Sequence, residues 1–405
     1  MPDVNVNQMA KLGPVRNLRP RALRPNLGRL RTMTTRQARS RPRPAKSGVL
    51  FSAHDDASAG PLSVTDSASD PSALIEAYFA AGYTDGLPVV PPTEKSIADM
   101  LAAAGLRAEE PLGEIPSRNT RVTAEKAAIN AVMAGCRPEY FPVVVAAIRG
   151  LCRPAFAYHG PASSTGGSAM VLIVNGPIAR ALGINAGNNL FGQGHRPNAT
   201  IGRAVRLVMM NVMNTRPGLL DRATLGNPGK YSFCFAENEN DHPWEPLHVT
   251  RGFAAEDSTV TVYASNSLYQ VYNQLAATPE PLLLCCADAL ANLSTPNLKG
   301  FNESLVVLAG EHTDVLRRHG WSRRDAQQFL VEHACQRVAE LKRGARLPGE
   351  VTPADETTER HVFEAPEDIL LVCAGGRAGA WSACLPGWGK KWTRSVTVRV
   401  EGPTR

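Results

Sequence analysis

Met170-Val171-Leu172-Ile173-Val174-Asn175-Gly176-Pro177 is the stretch on which the fold turns. A short β-branched apolar run that stops at Asn-Gly-Pro reads as a buried strand closed by a turn. Beyond it comes a loop dense in Gly183, Asn185, Gly187, Asn188, Asn189, Gly192 and Gly194, and then Asn198-Ala199-Thr200-Ile201-Gly202-Arg203 opens a helical pattern. Ile201, Val205, Val208 and Val212 fall on one face of a helix from Thr200 to Asn214, with Asn198 as its N-cap. In an open α/β sheet, ligands bind beyond the carboxyl ends of strands, facing helix N-termini. Asn175, Asn198, Thr200 and Arg203 are therefore candidate ligand-binding residues, with Arg203 placed to neutralise a substrate anion. The loop has no strict Gly-x-Gly-x-x-Gly pattern, so no nucleotide is inferred and the cofactor stays open.

Two later stretches repeat this logic. Ser304 to Ala309 is an apolar run followed by Gly310-Glu311-His312, and Asp368 to Cys373 is followed by Ala374-Gly375-Gly376. If these strands are parallel neighbours of the first, all three tips meet at one edge. A histidine at a helix N-terminus has its cationic form disfavoured, which makes His312 a neutral base or ligand; capping or packing explains it equally well. Gly375 and Gly376 let backbone amides approach a ligand closely. The expected fold is α/β, with a mostly parallel sheet and flanking helices in two lobes, residues 72–250 and 251–405. Helices are expected from Ser72 to Gly82, from Glu94 after a Thr93 cap, over Ala124–Ala134 and Phe141–Ile148, and from Arg323 to Arg343. In the loop before Ala124, Arg118 and Arg121 either clamp an anion or lie on a solvated surface.

The net charge of +7 over 405 residues suggests nucleic-acid binding until it is located. Residues 1–50 carry about +11, which leaves roughly −4 for the remainder, so nucleic acid is an unlikely partner of the folded part. Residues 1–71 have too few apolar side chains to offset their ordering entropy and are expected to be a disordered Arg-rich tail and linker. They suit a transit peptide, an anion-binding arm or a non-native extension. No apolar run reaches the roughly 20 residues of a membrane span, which points to a soluble, cytoplasmic protein. Self-association into a homo-oligomer is left open.

The densest polar chemistry follows Tyr231–Ala236, in Glu237-Asn238-Glu239-Asn240-Asp241-His242-Pro243-Trp244-Glu245-Pro246-Leu247-His248. Asp, Glu and His are ligand types for a divalent metal, yet no standard ligand spacing is present. Metal binding, acid/base catalysis without metal and a solvated loop are the three readings. Glu237 and Glu239 emerge together from an apolar strand, so partial desolvation should raise their pKa values into a range useful for proton transfer. Glu237, Glu239, His248, Glu311 and His312 form the candidate catalytic set.

The eight cysteines lack Cys-x-x-Cys spacing and fit buried free thiols; Cys285-Cys286, at the end of an apolar run taken as a strand, would form only a strained disulfide.

The phrases Asp85-Gly86-Leu87-Pro88-Val89-Val90-Pro91-Pro92-Thr93, Asn198-Ala199-Thr200-Ile201-Gly202-Arg203-Ala204 and Pro386-Gly387-Trp388-Gly389 resemble a large, mostly uncharacterised bacterial family loosely labelled UGSC (seleno)protein or thioredoxin-like. The likeness covers roughly Ser72 to Val400 and implies an intracellular bacterial α/β protein. The Cys/Sec-Gly-Ser-Cys motif that would carry redox chemistry is absent; this chain has Ser382-Ala383-Cys384.

Two functions follow. One is an enzyme acting on a small anionic or carbonyl-containing substrate by acid/base chemistry, with or without a metal, as a lyase or hydrolase. The other is a thiol-redox or ligand-binding protein using Cys285-Cys286 or Cys384.

Overall fold

The computed structural model describes residues 70–293, 303–389 and 393–402; the expected tail falls outside them, apart from its last two residues. The described residues lie within one compact unit, Val49–Arg405.

The chain starts with helices whose caps explain them. In α1 (Pro71–Ala80) the Asp70 carboxylate, rather than Ser72, is the cap and accepts from Ser72 N. In α2 (Glu94–Ala104) Thr93 is the cap that the sequence suggests, and Ser96 bonds back to it in a reciprocal capping box. The hairpin β1 (Pro111–Ile115) and β2 (Thr120–Thr123) leads into α3 (Ala124–Ala134), capped by Thr123. Two more helices, α4 (Phe141–Leu151) and the short α5 (His159–Ser163), precede β3 (Ala169–Asn175). Then come α6 (Pro177–Ala181), α7 (Arg196–Asn211), β4 (Cys234–Ala236), α8 (Leu247–Thr250), β5 (Thr259–Ser265) and β6 (Tyr269–Tyr272). The chain continues as α9 (Pro279–Leu293), β7 (Ser304–Leu308), α10 (Gly310–Arg318), α11 (Arg323–His333), β8 (Cys335–Arg337) and α12 (Val338–Arg343). Four strands close it: β9 (Glu359–His361), β10 (Ile369–Cys373), β11 (Trp381–Pro386) and β12 (Val396–Arg399).

Two four-stranded sheets carry the architecture, ordered β12-β5-β3-β4 and β10-β7-β11-β6. Each holds one parallel pair, β3 with β4 and β7 with β10, and two antiparallel pairs. The expectation of a mostly parallel sheet is therefore corrected to two mixed sheets. The burial pattern explains the misreading. Side chains alternate across a strand, so Val171 and Ile173 face one way and Met170, Leu172 and Val174 the other. The first pair packs with Phe235, Tyr263, Leu305, Val307, Leu370, Val372 and Leu385, which are inner-face residues of both sheets. The second set packs with α2, α3, α4 and α7. On the far side Val306, Leu308, Ile369 and Leu371 pack with α9, α10 and α11. The layers run helix, sheet, sheet, helix. Every central strand is buried on both faces, as in a parallel sheet, and so reads as a continuous apolar run.

Strand pairing does not follow the division at residue 250, because β5 and β12 complete the sheet that β3 and β4 begin. The expected helix from Arg323 to Arg343 is broken: Cys335, Gln336 and Arg337 leave it to pair with His361, Arg360 and Glu359. Cys285 and Cys286 lie in α9, not in a strand, and all eight cysteines are free. Among the described residues no helix is long and apolar enough to cross a membrane.

Candidate active site

The carboxyl ends of the two parallel pairs meet. Asn238 N donates to Cys373 O at 2.8 Å, Gly375 N to Ala186 O at 2.8 Å and Gly310 N to Gly376 O at 3.0 Å. The tips of β3, β4, β7 and β10 are thereby stitched along one edge. Gly375 takes φ +108°, and a Cβ on Gly376 would stand 2.2 Å from Asn188 Oδ1, so the Asn-rich loop lies directly against the β10 tip.

At this edge the sequence brings together four of its candidates. Asn175, fully buried at the end of β3, donates from Nδ2 to Glu237 Oε2 at 2.7 Å and to Glu239 Oε1 at 2.9 Å. Glu237 Oε2 also accepts from Leu247 N at 2.7 Å, and Glu239 Oε1 from Gly176 N at 2.6 Å. Gly176 is required here, because it holds φ +84° and a Cβ would stand 2.1 Å from Asp257 O. His248, fully buried in α8, places Nδ1 3.8 Å from Glu239 Oε1, and its Nε2 faces Ala255 O at 3.4 Å. With the Nε2 proton on that carbonyl, the Nδ1 lone pair points towards the carboxylate.

Positive charge comes from two residues that the sequence reading missed. Arg323, in the first turn of α11, sits 3.8 Å from Glu237 Oε1, donates to the carbonyls of Leu371 and Glu245, and lies 5.4 Å from the Trp244 ring centroid. Arg180, more than half exposed, is 3.7 Å from Glu239 Oε2. No local motif marks either one; only the folded edge brings them to the carboxylates.

Burial pushes the Glu237 carboxyl above its usual range, against the pull of Arg323, Leu247 N and Asn175, and Glu239 adds to the rise. Burial and then Arg323 depress the His242 imidazole to about 4, so its ring is neutral. Asn175 Oδ1, Glu237 Oε1, His242 Nε2, His248 Nδ1 and Arg323 Nε are all buried without a hydrogen-bond partner. Five such atoms in one cluster depart from the rule that buried polar groups are satisfied, and strain, a bound water or ion, or a catalytic role accounts for such departures. Asp241, from the same acidic stretch, is instead paired with Arg317 at 3.1 Å and with Arg377.

The remaining candidates do other work. Arg203 grips the Asp85 carboxylate with two bonds of 2.8 Å and donates to the carbonyls of Leu87 and Pro88, so its charge is already matched. Asn198 is not the helix cap: α7 begins at Arg196, and Asn198 ties Asn185 N, Asn185 O and Cys234 O together. Thr200 hydroxyl donates to Arg196 O inside the helix. His312 is buried, hydrogen-bonded through Nδ1 to Ser382 Oγ at 2.7 Å and through Nε2 to Asn273 O at 3.1 Å, and burial lowers its pKa. Glu311 accepts from Gly379 N at 3.0 Å. Gly375 and Gly376 line a separate cavity of about 420 Å³ with Leu190, Phe191, Trp381 and Ser382, to which neither Glu237 nor Glu239 contributes. Of the two bracketing arginines, Arg118 bonds Met213 O and Thr215 Oγ1, while Arg121 pairs with Glu114.

No protein-family model matches the chain, and no curated protein matches it.

Five of the thiols are poorly suited to nucleophilic work. Burial pushes Cys136, Cys152 and Cys373 up to about 12 and drives Cys234 up as well, while a hydrogen bond with Cys286 and then burial raise Cys384. Among the described residues, the one group of three His, Cys, Asp or Glu side chains whose ligand atoms all lie within 4.8 Å of one another is Cys335, Glu359 and His361, on the β8–β9 ribbon.

Proposed function

We propose that the chain is an enzyme acting on a small carbonyl- or carboxylate-bearing substrate, in lyase or hydrolase chemistry, with Glu237 as the group that carries the proton. The observation that carries this reading is the state of Glu237: one oxygen is fixed by two N–H donors while the other, Oε1, is buried, unpartnered and 3.8 Å from Arg323. A carboxyl whose pKa is raised by burial can hold its proton near neutral pH and deliver it in a fixed direction. Asn175 orients both carboxylates, and the His248 Nδ1 lone pair offers an acceptor beside Glu239. Arg180 and Arg323 supply positive charge for a developing anion.

The raised pKa of Cys384 weighs against that thiol as the centre of a redox function.

The test is untargeted metabolite profiling of the full chain against a bacterial extract, repeated with Glu237→Gln. A compound consumed by the wild type and spared at least about 100-fold by the variant, at similar melting temperature, is the expected outcome. Equal consumption by the two proteins, or no consumption by the wild type, refutes the reading.

A further inference from the structure

The break in the long helix after His333 has a chemical consequence. In the β8–β9 ribbon Cys335 stands opposite His361, and Arg337 opposite Glu359. Side chains on a strand alternate, so Glu359 and His361, two residues apart, share a face, and Cys335 shares it from across the ladder. The thiol sulfur, a Glu359 oxygen and an imidazole nitrogen accordingly lie within 4.8 Å of one another. The Glu359 carboxylate places negative charge beside the Cys335 thiol.

His361 is already oriented for the role. Its Nδ1 faces the Val331 carbonyl at 3.3 Å, and with the Nδ1 proton on that oxygen the lone pair is left on Nε2. Metal-bound histidines are held by this kind of second hydrogen bond to a carbonyl. Asp288 on α9 adds negative charge near the sulfur.

We propose that Cys335, Glu359 and His361 bind one zinc-class divalent cation, with water as the fourth ligand. A thiolate, an imidazole and a carboxylate match the mixed donor preference of Zn²⁺, whereas Mg²⁺ and Ca²⁺ take oxygen shells. Tetrahedral Zn–S and Zn–N bonds place the two donor atoms roughly 3.6 Å apart. Donors already within 4.8 Å reach that distance by small side-chain rotations. On binding, the Cys335 S–H bond breaks, its proton leaves to buffer and the sulfur–metal bond forms. The ion ties Cys335 to His361 at the base of the intervening segment, which includes α12. It stands apart from the proton-transfer reading and survives that reading's failure.

The full chain, stripped with chelator under reducing conditions, is titrated with Co²⁺ and then with competing Zn²⁺. One Co²⁺ per chain is expected, with tetrahedral visible bands, a thiolate charge-transfer band and displacement by Zn²⁺. Cys335→Ser abolishes the charge-transfer band, and His361→Ala weakens binding about 100-fold or more. Glu359→Gln, at an exposed position, weakens binding about tenfold and keeps the band. The proposal is overturned by a wild type without tetrahedral bands or by a Cys335→Ser protein with an unchanged spectrum. Should Cys335→Ser fail to fold, alkylation mapping of the wild type decides. Zn²⁺ must protect Cys335 from iodoacetamide, and protection confined to another cysteine overturns the assignment.

Discussion

Replacing Arg203 by alanine separates a structural ion pair from a substrate clamp. Arg203 and Asp85 form a two-bond fork at 2.8 Å with side-chain exposures of 14% and 5%, and the guanidinium also serves the Leu87 and Pro88 carbonyls. Truncation leaves the Asp85 carboxylate buried with only the Leu87 amide as a remaining donor, at 3.2 Å. Removing one partner of a buried pair costs about 3–5 kcal/mol. At roughly 2 °C per kcal/mol for a chain of this size, the melting temperature should fall by about 6–10 °C. Arg203→Lys keeps the charge but loses the planar fork, and should fall about a third as far. Differential scanning calorimetry of both variants and of the Asp85→Ala, Arg203→Ala double mutant measures the coupling. If Arg203→Ala melts within about 1 °C of the wild type, or the coupling is below about 0.5 kcal/mol, the structural assignment is wrong and the anion-clamp expectation returns.

Asn175→Asp turns the amide shared by Glu237 and Glu239 into a third carboxylate. The new group's folded pKa should be raised, so its penalty should be small at low pH and grow as pH rises; a melting-temperature deficit no larger at pH 8 than at pH 5 refutes the shared-donor geometry. His242, depressed to about 4 from an ordinary 6.5 by burial and Arg323, contributes stability that is complete above about pH 6.5 and lost as pH falls towards 4. His242→Gln should flatten the melting-temperature slope in that window, and an unchanged slope removes the histidine from the acid response. Cys373, pushed up to about 12, should resist a disulfide reagent at pH 8 in the folded protein and react once it is denatured. Rapid labelling of Cys373 in the native protein would refute its burial.

The strands were legible because burial on both faces leaves nothing polar within them. β3 is buried at all seven positions, and the turn at Gly176 closes it as expected. Direction was not legible, since a strand between helices and a second sheet has the same pattern as one inside a parallel sheet. The helix from Arg323 was overextended because no Gly or Pro lies between His333 and Val338; pairing with residues 359–361, far along the chain, overrides the local pattern. Two phrases behind the family resemblance prove to be bonded to one another: Asp85 of the first holds Arg203 of the second. The sequence shows both ends of that bond but not that they meet.

The site divides along the same line. Glu237 and Glu239 were readable as a pair because both follow an apolar strand, and Asn175 because it ends another. That one Asn175 amide serves both carboxylates follows from the parallel register, in which Val174 stands beside Ala236 and Glu237 N extends the ladder to Val174 O. The chain then turns as Glu239 N bonds back to Glu237 O, which brings the second carboxylate over the first. Two carboxylates on one amide repel each other, and the low exposure of the cluster strengthens that repulsion. The arrangement is therefore tolerable when one carboxyl is protonated, and the deeper of the two, Glu237, is the one that burial and Glu239 both push in that direction. The polar edge costs stability that a purely structural turn would not, and in the proposed chemistry that cost is what favours the protonated form of Glu237 beside Arg323.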